Sequence, residues 1–168
     1  VGEGAFSSAA GNDNPVVFSM QIREMSGEMN DILVLYIDTG ARGRNEIDAL
    51  VNDSEDDHRI AITNSNAFGY GSFINFPPGF EASYAVAVDV NFGGLYSIPS
   101  TGSIGIGELD FITTVNSTLT SSDQRFYEFS FYWEDIGLTD TDEFNFVGLY
   151  VRNTGYSSDE GYGEGITI

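Results

Sequence analysis

The chain has 168 residues, with 26 acidic side chains against six basic ones, all six of them arginine, and a net charge of −20. Phosphate backbones and anionic lipid surfaces are bound through clustered cations, so this balance argues against nucleic acid and membrane as partners. Cysteine is absent, which removes disulfides, thiolate ligands and thiol nucleophiles, and a chain this long buries roughly 70% of its unfolded surface without such staples.

No apolar run approaches the roughly 18 residues of a membrane span. The opening segment VGEGAFSSAAGNDNP lacks a basic n-region and an apolar h-region, and reads as the start of a mature or excised segment. From there alternation at period two dominates. Val16, Phe18, Met20 and Ile22 alternate with Val17, Ser19, Gln21 and Arg23, a strand with one buried face. SGEMND turns this run into ILVLYID, apolar on both faces as in a strand covered on each side.

After Asp38 the pattern dissolves through TGARGRNEIDALVNDSEDD and resumes at HRIAITN, read here as another strand with His58 at its entrance. GSFINF then leads to the elbow FPPGF and a strand over Ala82–Asp89, where Tyr84, Val86 and Val88 share one face. Ala85 and Ala87 form the other face, small enough for close packing against a neighbour. The elbow itself is stiff, because proline presets φ and glycine admits conformations other residues avoid. It is expected to hold Phe80 against the core and aim Glu81 outward, as a cation ligand or a loop clip.

ELDFITTVN and QRFYEFSFYW are two further strands, with Tyr127, Phe129, Phe131 and Trp133 in phase on one face. That phase assigns Trp133 to the core. EDIGL reads as one helical turn, and FNFVGLYVRN closes the pattern with Val147, Leu149 and Val151 inward. Nine or ten short strands without crossover helices predict an all-β protein, a two-sheet antiparallel β-sandwich of jelly-roll type, over residues 1–168 as a single domain.

Calcium takes about six to eight oxygens from carboxylates, amides and backbone carbonyls. The long acidic loop supplies candidates in Asp38, Asp48, Asp53 and Asp57, and Glu81 would join them if the elbow folds over that loop. Asp140, Asp142 and Glu143, and Asp159, Glu160 and Glu164, are further acids whose simpler reading is a turn and a chain end. Loop aromatics are more often exposed than strand aromatics, and Tyr70, Tyr156 and Arg152 are the candidate ligand contacts. Without cysteine, with His58 as the single histidine and without a Gly-x-Ser-x-Gly elbow, no nucleophile and base set can be assembled. The chain is therefore read as non-catalytic.

The order LVLYIDT, DDHRIAI, FPPGFEASYAVAV, FSFYWEDIGL and FNFVGLYVRNTGYSSDEGYGEG resembles a β-sandwich module of secreted multidomain proteins from polysaccharide-degrading marine bacteria. In outline it is similar to DOMON-like domains and family-nine-type carbohydrate-binding modules. The closest match is the pattern Gly-Phe-Glu-Ala-Asp-Tyr-Ala, met by Gly79, Phe80, Glu81, Ala82, Tyr84 and Ala85, with Ser83 where an aspartate is usual. The resemblance implies a non-catalytic, often calcium-stabilised module, extracellular or on the cell surface, whose partner is a polysaccharide or oligosaccharide. A structural or adhesive domain that self-associates through sheet edges or terminal strands is the alternative.

Overall fold

A computed structural model describes residues 4–8, 15–21, 31–69, 71–119 and 126–162. One sheet has the strand order β1 (Gly4–Ser8), β2 (Pro15–Gln21), β10 (Phe126–Tyr132), β9 (Asn116–Leu119). The larger sheet runs β12 (Ser157–Tyr162), β11 (Asn145–Val151), β3 (Ile32–Asp38), β6 (Tyr84–Val88), β7 (Gly93–Ser97), β8 (Asp110–Thr114). A two-residue pair, β4 (Glu46–Ile47) with β5 (Ile74–Asn75), lies apart from both. Every pairing between these strands is antiparallel. This is the all-β, sandwich-like architecture that the period-two runs predict. Among the described residues no helix is long and apolar enough to cross a membrane.

The central strand β3 explains the layering. All seven of its residues are buried, and alternate side chains enter two different cores because successive residues of a strand face opposite ways. Leu33, Leu35 and Ile37 join Val16, Phe18, Val86, Val88, Leu95, Phe129, Phe131 and Trp133 between the two sheets. Ile32, Val34 and Tyr36 join Ala85, Ala87, Val147, Leu149 and Val151 on the other face of the larger sheet, under a cover that includes Ala61, Ile62, Ile47, Ile74, Phe76 and Phe80. Trp133 is buried as its phase predicts.

Part of that cover is a helix where the sequence reading placed a strand. Asp57–Thr63 forms α1. The reason is capping and burial together. The Asp56 carboxylate accepts a hydrogen bond from Arg59 N at 2.9 Å, which satisfies one of the free amides at the helix start. At the other end Asn64 takes the left-handed conformation, φ 49°, and its N–H donates to Ile60 O. Ile60, Ala61, Ile62 and Thr63 are all buried, so the run 60–63 shows no polar face whose period could separate helix from strand. The small face of β6 is the surface α1 packs on. The Tyr36 hydroxyl donates to Ile62 O at 2.5 Å and accepts from Asn64 Nδ2 at 3.4 Å, tying the helix end to β3. Burial pushes that hydroxyl far above the usual tyrosine range.

ELDFITTVN also differs from its reading as one strand. Residues 110–114 are β8 of the larger sheet; the chain then crosses at buried Val115 and continues as β9 in the smaller one. The Val115 N–H donates to Gly93 O at 3.0 Å at the crossing. EDIGL falls in a 3₁₀ turn, Trp133–Ile136, closed by Gly137 at φ 74°.

If α1 rests on the alanine face of β6, Ala87→Leu overpacks the contact and costs about 1–3 kcal/mol of unfolding free energy. Denaturant unfolding measures this, and a neutral result would show that the face has room.

Candidate functional site

The carboxylates expected to share a cation are spread over the molecule. β3 rises about 3.3 Å per residue over six steps, which separates its ends by roughly 20 Å. Asp38 and Glu81 sit at one end of it. Asp57 sits toward the other, in the first turn of α1, where its Oδ2 accepts from Asn153 Nδ2 at 3.4 Å. Asp48 caps its own turn, accepting from Leu50 N at 2.9 Å. Among the described residues no three histidine or acidic side chains gather in a way that could hold a metal ion.

Asp53 is fully buried and fully committed. Its Oδ1 accepts from Glu55 N at 3.1 Å and Gly107 N at 2.8 Å; its Oδ2 accepts from Leu109 N at 2.9 Å and Arg59 Nη1 at 2.7 Å. Arg59 Nη1 also donates to Leu109 O at 2.7 Å, and the guanidinium lies 5.3 Å from the Tyr96 ring centroid. Burial alone would raise the Asp53 pKa, but the Leu109 and Gly107 amides, the guanidinium and the Glu55 amide together hold it below the ordinary value. Desolvation likewise works against the charged Arg59, and Asp53 outweighs it.

Asp38 and Glu81 are the two predicted ligands that the fold brings together, and here they act as clips. Asp38 Oδ1 accepts from Gly40 N at 2.8 Å and Oδ2 from Glu81 N at 3.2 Å, while Glu81 Oε2 accepts from Gly43 N at 3.1 Å. Arg44 and Ala82 exchange backbone hydrogen bonds of 2.9 and 2.7 Å. A methyl group on Gly43 would lie 2.5 Å from the Ala82 and Glu81 carbonyl oxygens, so only glycine lets the loop lie flat on the elbow. Phe80 is buried and Glu81 exposed, as the elbow predicts. At this same end a groove of about 360 Å³ is lined by Trp133, Asp140, Asp142, Glu143, Phe144, Asn145 and Phe146. Asp142 belongs to a turn: its Oδ2 accepts from Thr139 Oγ1 at 2.7 Å and Thr139 N at 2.8 Å, and these bonds hold its pKa down.

The other end of the larger sheet carries a different surface. The stretches 64–69 and 71–73 are pressed there against the segment 152–157. Ser157 Oγ donates to Ser72 Oγ at 3.2 Å, and a methyl group on Gly155, whose φ is +81°, would lie 2.5 Å from Ser65 O. Each segment is braced internally. Ser72 N donates to Asn64 O at 3.2 Å and Gly71 N to Asn66 Oδ1 at 3.2 Å; Arg152 N donates to Tyr156 O at 2.8 Å and Gly155 N to Arg152 O at 2.9 Å. On these braced loops Phe68, Phe73 and Tyr156 are 57%, 62% and 52% exposed. Arg152 is exposed beside them, 4.0 Å from Asp31 Oδ1 through its Nε, and Asn153 and Asn66 add amide groups. Open ring faces flanked by hydrogen-bonding groups can stack on a ligand and grip its polar edge.

Of the predicted ligand contacts, Tyr156 and Arg152 therefore share one surface, and Tyr70 lies outside the described residues. Phe68 was not among the candidates. The available signal was its place in the glycine-punctuated run NAFGYGSF, which keeps aromatic residues off regular strands. His58 sits on α1 rather than at a strand entrance, with Nε2 3.5 Å from Asp89 Oδ2 and its ring edge against Phe92 at 5.0 Å.

Asp53→Asn removes the charge that faces Arg59, which keeps Asp56 Oδ2 at 3.3 Å and Glu55 Oε2 at 3.7 Å, and leaves buried N–H groups short of an acceptor, so it is expected to cost about 1–3 kcal/mol at neutral pH. The sign with pH follows from the lowered pKa. Asp53 stabilises fully above the unfolded value of about 3.9 and loses that contribution as pH falls through its lower folded value. The gap in thermal midpoint between wild type and Asp53→Asn should thus be widest above pH 4 and close only in stronger acid. A pH-independent gap would rule out the charged pair as its source.

Comparison of the chain with family models, with curated proteins and with solved structures finds no match, so the resemblance to carbohydrate-binding sandwiches rests on the quoted motifs alone.

Proposed function

We propose that the chain is a non-catalytic carbohydrate-binding module, working outside the cell or on its surface to hold an enzyme or a cell on a polysaccharide. The observation that carries this reading is the trio of open rings, Phe68, Phe73 and Tyr156, on two loops fixed against each other. A pyranose presents an apolar face to such a ring and hydroxyls to the Arg152, Asn153 and Asn66 side chains around it. Affinity electrophoresis or calorimetry across neutral and anionic soluble polysaccharides tests the reading, with an assay for new reducing ends alongside. Retardation by at least one glycan without cleavage is expected. Tyr156→Ala should weaken binding about fivefold or more, the equivalent of about 1 kcal/mol for a lost stacking contact.

A specific observation favours the second reading, a self-associating structural or adhesive domain. β8 is an edge of the larger sheet with Phe111 47% exposed, and the adjoining loops carry exposed Leu50 and Ile106. An edge that no described strand pairs, next to apolar side chains, is a template for another chain. If no glycan retards the protein and its sedimentation shows concentration-dependent association, this second reading replaces the first.

Calcium enters the proposal at the Asp38 and Glu81 pair only, because the other expected ligands lie elsewhere. Two carboxylates fall short of the oxygens calcium takes, so loop carbonyls would have to complete the shell. An ion bound only by the native state stabilises it by about 2.7 kcal/mol at a hundredfold excess over its dissociation constant. Thermal melts with calcium and with chelator decide this part. An upward shift that Glu81→Gln abolishes supports it, and superimposable melts remove calcium while leaving the glycan reading intact.

A further inference from the structure

We infer that the rim formed by residues 64–69, 71–73 and 152–157 binds along uncharged stretches of a polysaccharide and does not grip chain ends; this rests on the glycan-binding reading above. A site that captures the end of a chain must enclose it, and enclosing sites bury about 70–90% of a small ligand. Phe68, Phe73 and Tyr156 each keep more than half of their surface open to solvent. Rings this open offer faces on which a chain can lie, entering on one side of the rim and leaving on the other.

The rings are also held in place. Ser72 and Ser157 are bonded side chain to side chain, Gly155 lies under the Ser65 carbonyl with no room for a side chain, and Gly71 lies against Asn64 and Asn66. Fixed loops lose little entropy on binding. Three rings at set positions on two segments reward a ligand that meets more than one of them, which a single sugar unit cannot do as well as several in line.

Charge selects the ligand class. Among the described side chains, those with charge beside the rings include Arg152, Asp31 across from it at 4.0 Å, and Asp57 bonded to Asn153. The Arg152 guanidinium faces a carboxylate of its own chain, and the whole molecule carries −20. A sulfated or uronic-acid polymer meets a repulsive field, and among the described residues of the rim the cation that could receive it, Arg152, already faces Asp31. A neutral glycan loses nothing to that field.

The test uses the intact chain with size-graded neutral oligosaccharides, the parent polymer, the same oligosaccharides with their reducing ends converted to alditols, and a sulfated polymer. Affinity is expected to rise about tenfold or more from disaccharide to hexasaccharide, to survive alditol conversion, and to change less than about twofold between low and high salt. Several copies of the protein should load each long chain. Phe68→Ala, Phe73→Ala and Tyr156→Ala should each flatten the dependence on length, with unfolding midpoints close to wild type because these side chains are exposed. Loss of binding on end modification, one copy per chain, or binding confined to the sulfated polymer would overturn the inference and leave the glycan-binding reading standing. Failure to bind any glycan would overturn both.

Discussion

The buried pair of Asp53 and Arg59 is the constraint on which the rest of the larger sheet's outer layer depends. Asp53 takes amide hydrogen bonds from Glu55, Gly107 and Leu109 and an ion pair from Arg59. Those partners belong to the loop before α1, the loop before β8 and α1 itself. Arg59 reaches further, to Leu109 O and to the ring of Tyr96 on β7. One carboxylate thereby joins the stretch 53–59 to the loop 107–109, more than fifty residues further along the chain. A buried charge is costly unless paired and hydrogen-bonded on every side, and the same saturation that makes Asp53 tolerable makes it unsuited to bind a cation.

Through α1 this constraint extends to the rim. The helix is seven residues long, too short to hold its shape by propensity. It is kept by the Asp56 cap, by the alanine face of β6 beneath it and by the Tyr36 hydroxyl at its end. Its C-terminal residue leads directly into Asn64 and Ser65, against which Gly155 is packed. The exposed rings thus stand on an ordered support that runs back to the core strand β3. Rigidity below and exposure above are what a surface needs if it is to present apolar rings without their collapsing onto the protein.

The two ends of the larger sheet divide the chemistry. At one end Asp38 and Glu81 use their oxygens to fasten the loop 39–44 on the elbow, with Arg44 donating to Pro99 O at 2.6 Å and to Gly102 O underneath. Most of their capacity goes to the chain's own amides. At the other end the polar groups of Arg152, Asn153 and Asn66 face solvent beside open rings. A net charge of −20 favours solubility and repels polyanions over both ends alike, so the distinction between them comes from the exposed rings of Phe68, Phe73 and Tyr156 at the second end.

Much of the fold was legible because strand periodicity is a local property. The all-apolar run ILVLYID required cover on both faces and has it, the alanines of β6 required a close neighbour and have α1, and the phase of Phe129, Phe131 and Trp133 placed them in the core. HRIAITN was misread because its run Ile60–Thr63 is buried residue after residue and shows no polar side to reveal a period, and only the cap at Asp56 and the left-handed Asn64 settle it as helix. ELDFITTVN was misread because a strand that changes sheets looks continuous along the chain. The sequence by itself determined an acidic, cysteine-free, all-β protein with a stiff elbow that buries Phe80 and exposes Glu81. Tertiary structure alone decided which of its many acids meet. Asp53 found Arg59, six residues on, only because Leu109 and Gly107 close over it from more than fifty residues away. The segments that carry Tyr156 and Phe73 meet where Ser157 bonds Ser72 across 85 positions. Proximity across such separations is set by the packing of sheets and loops, and no local pattern of residues records it.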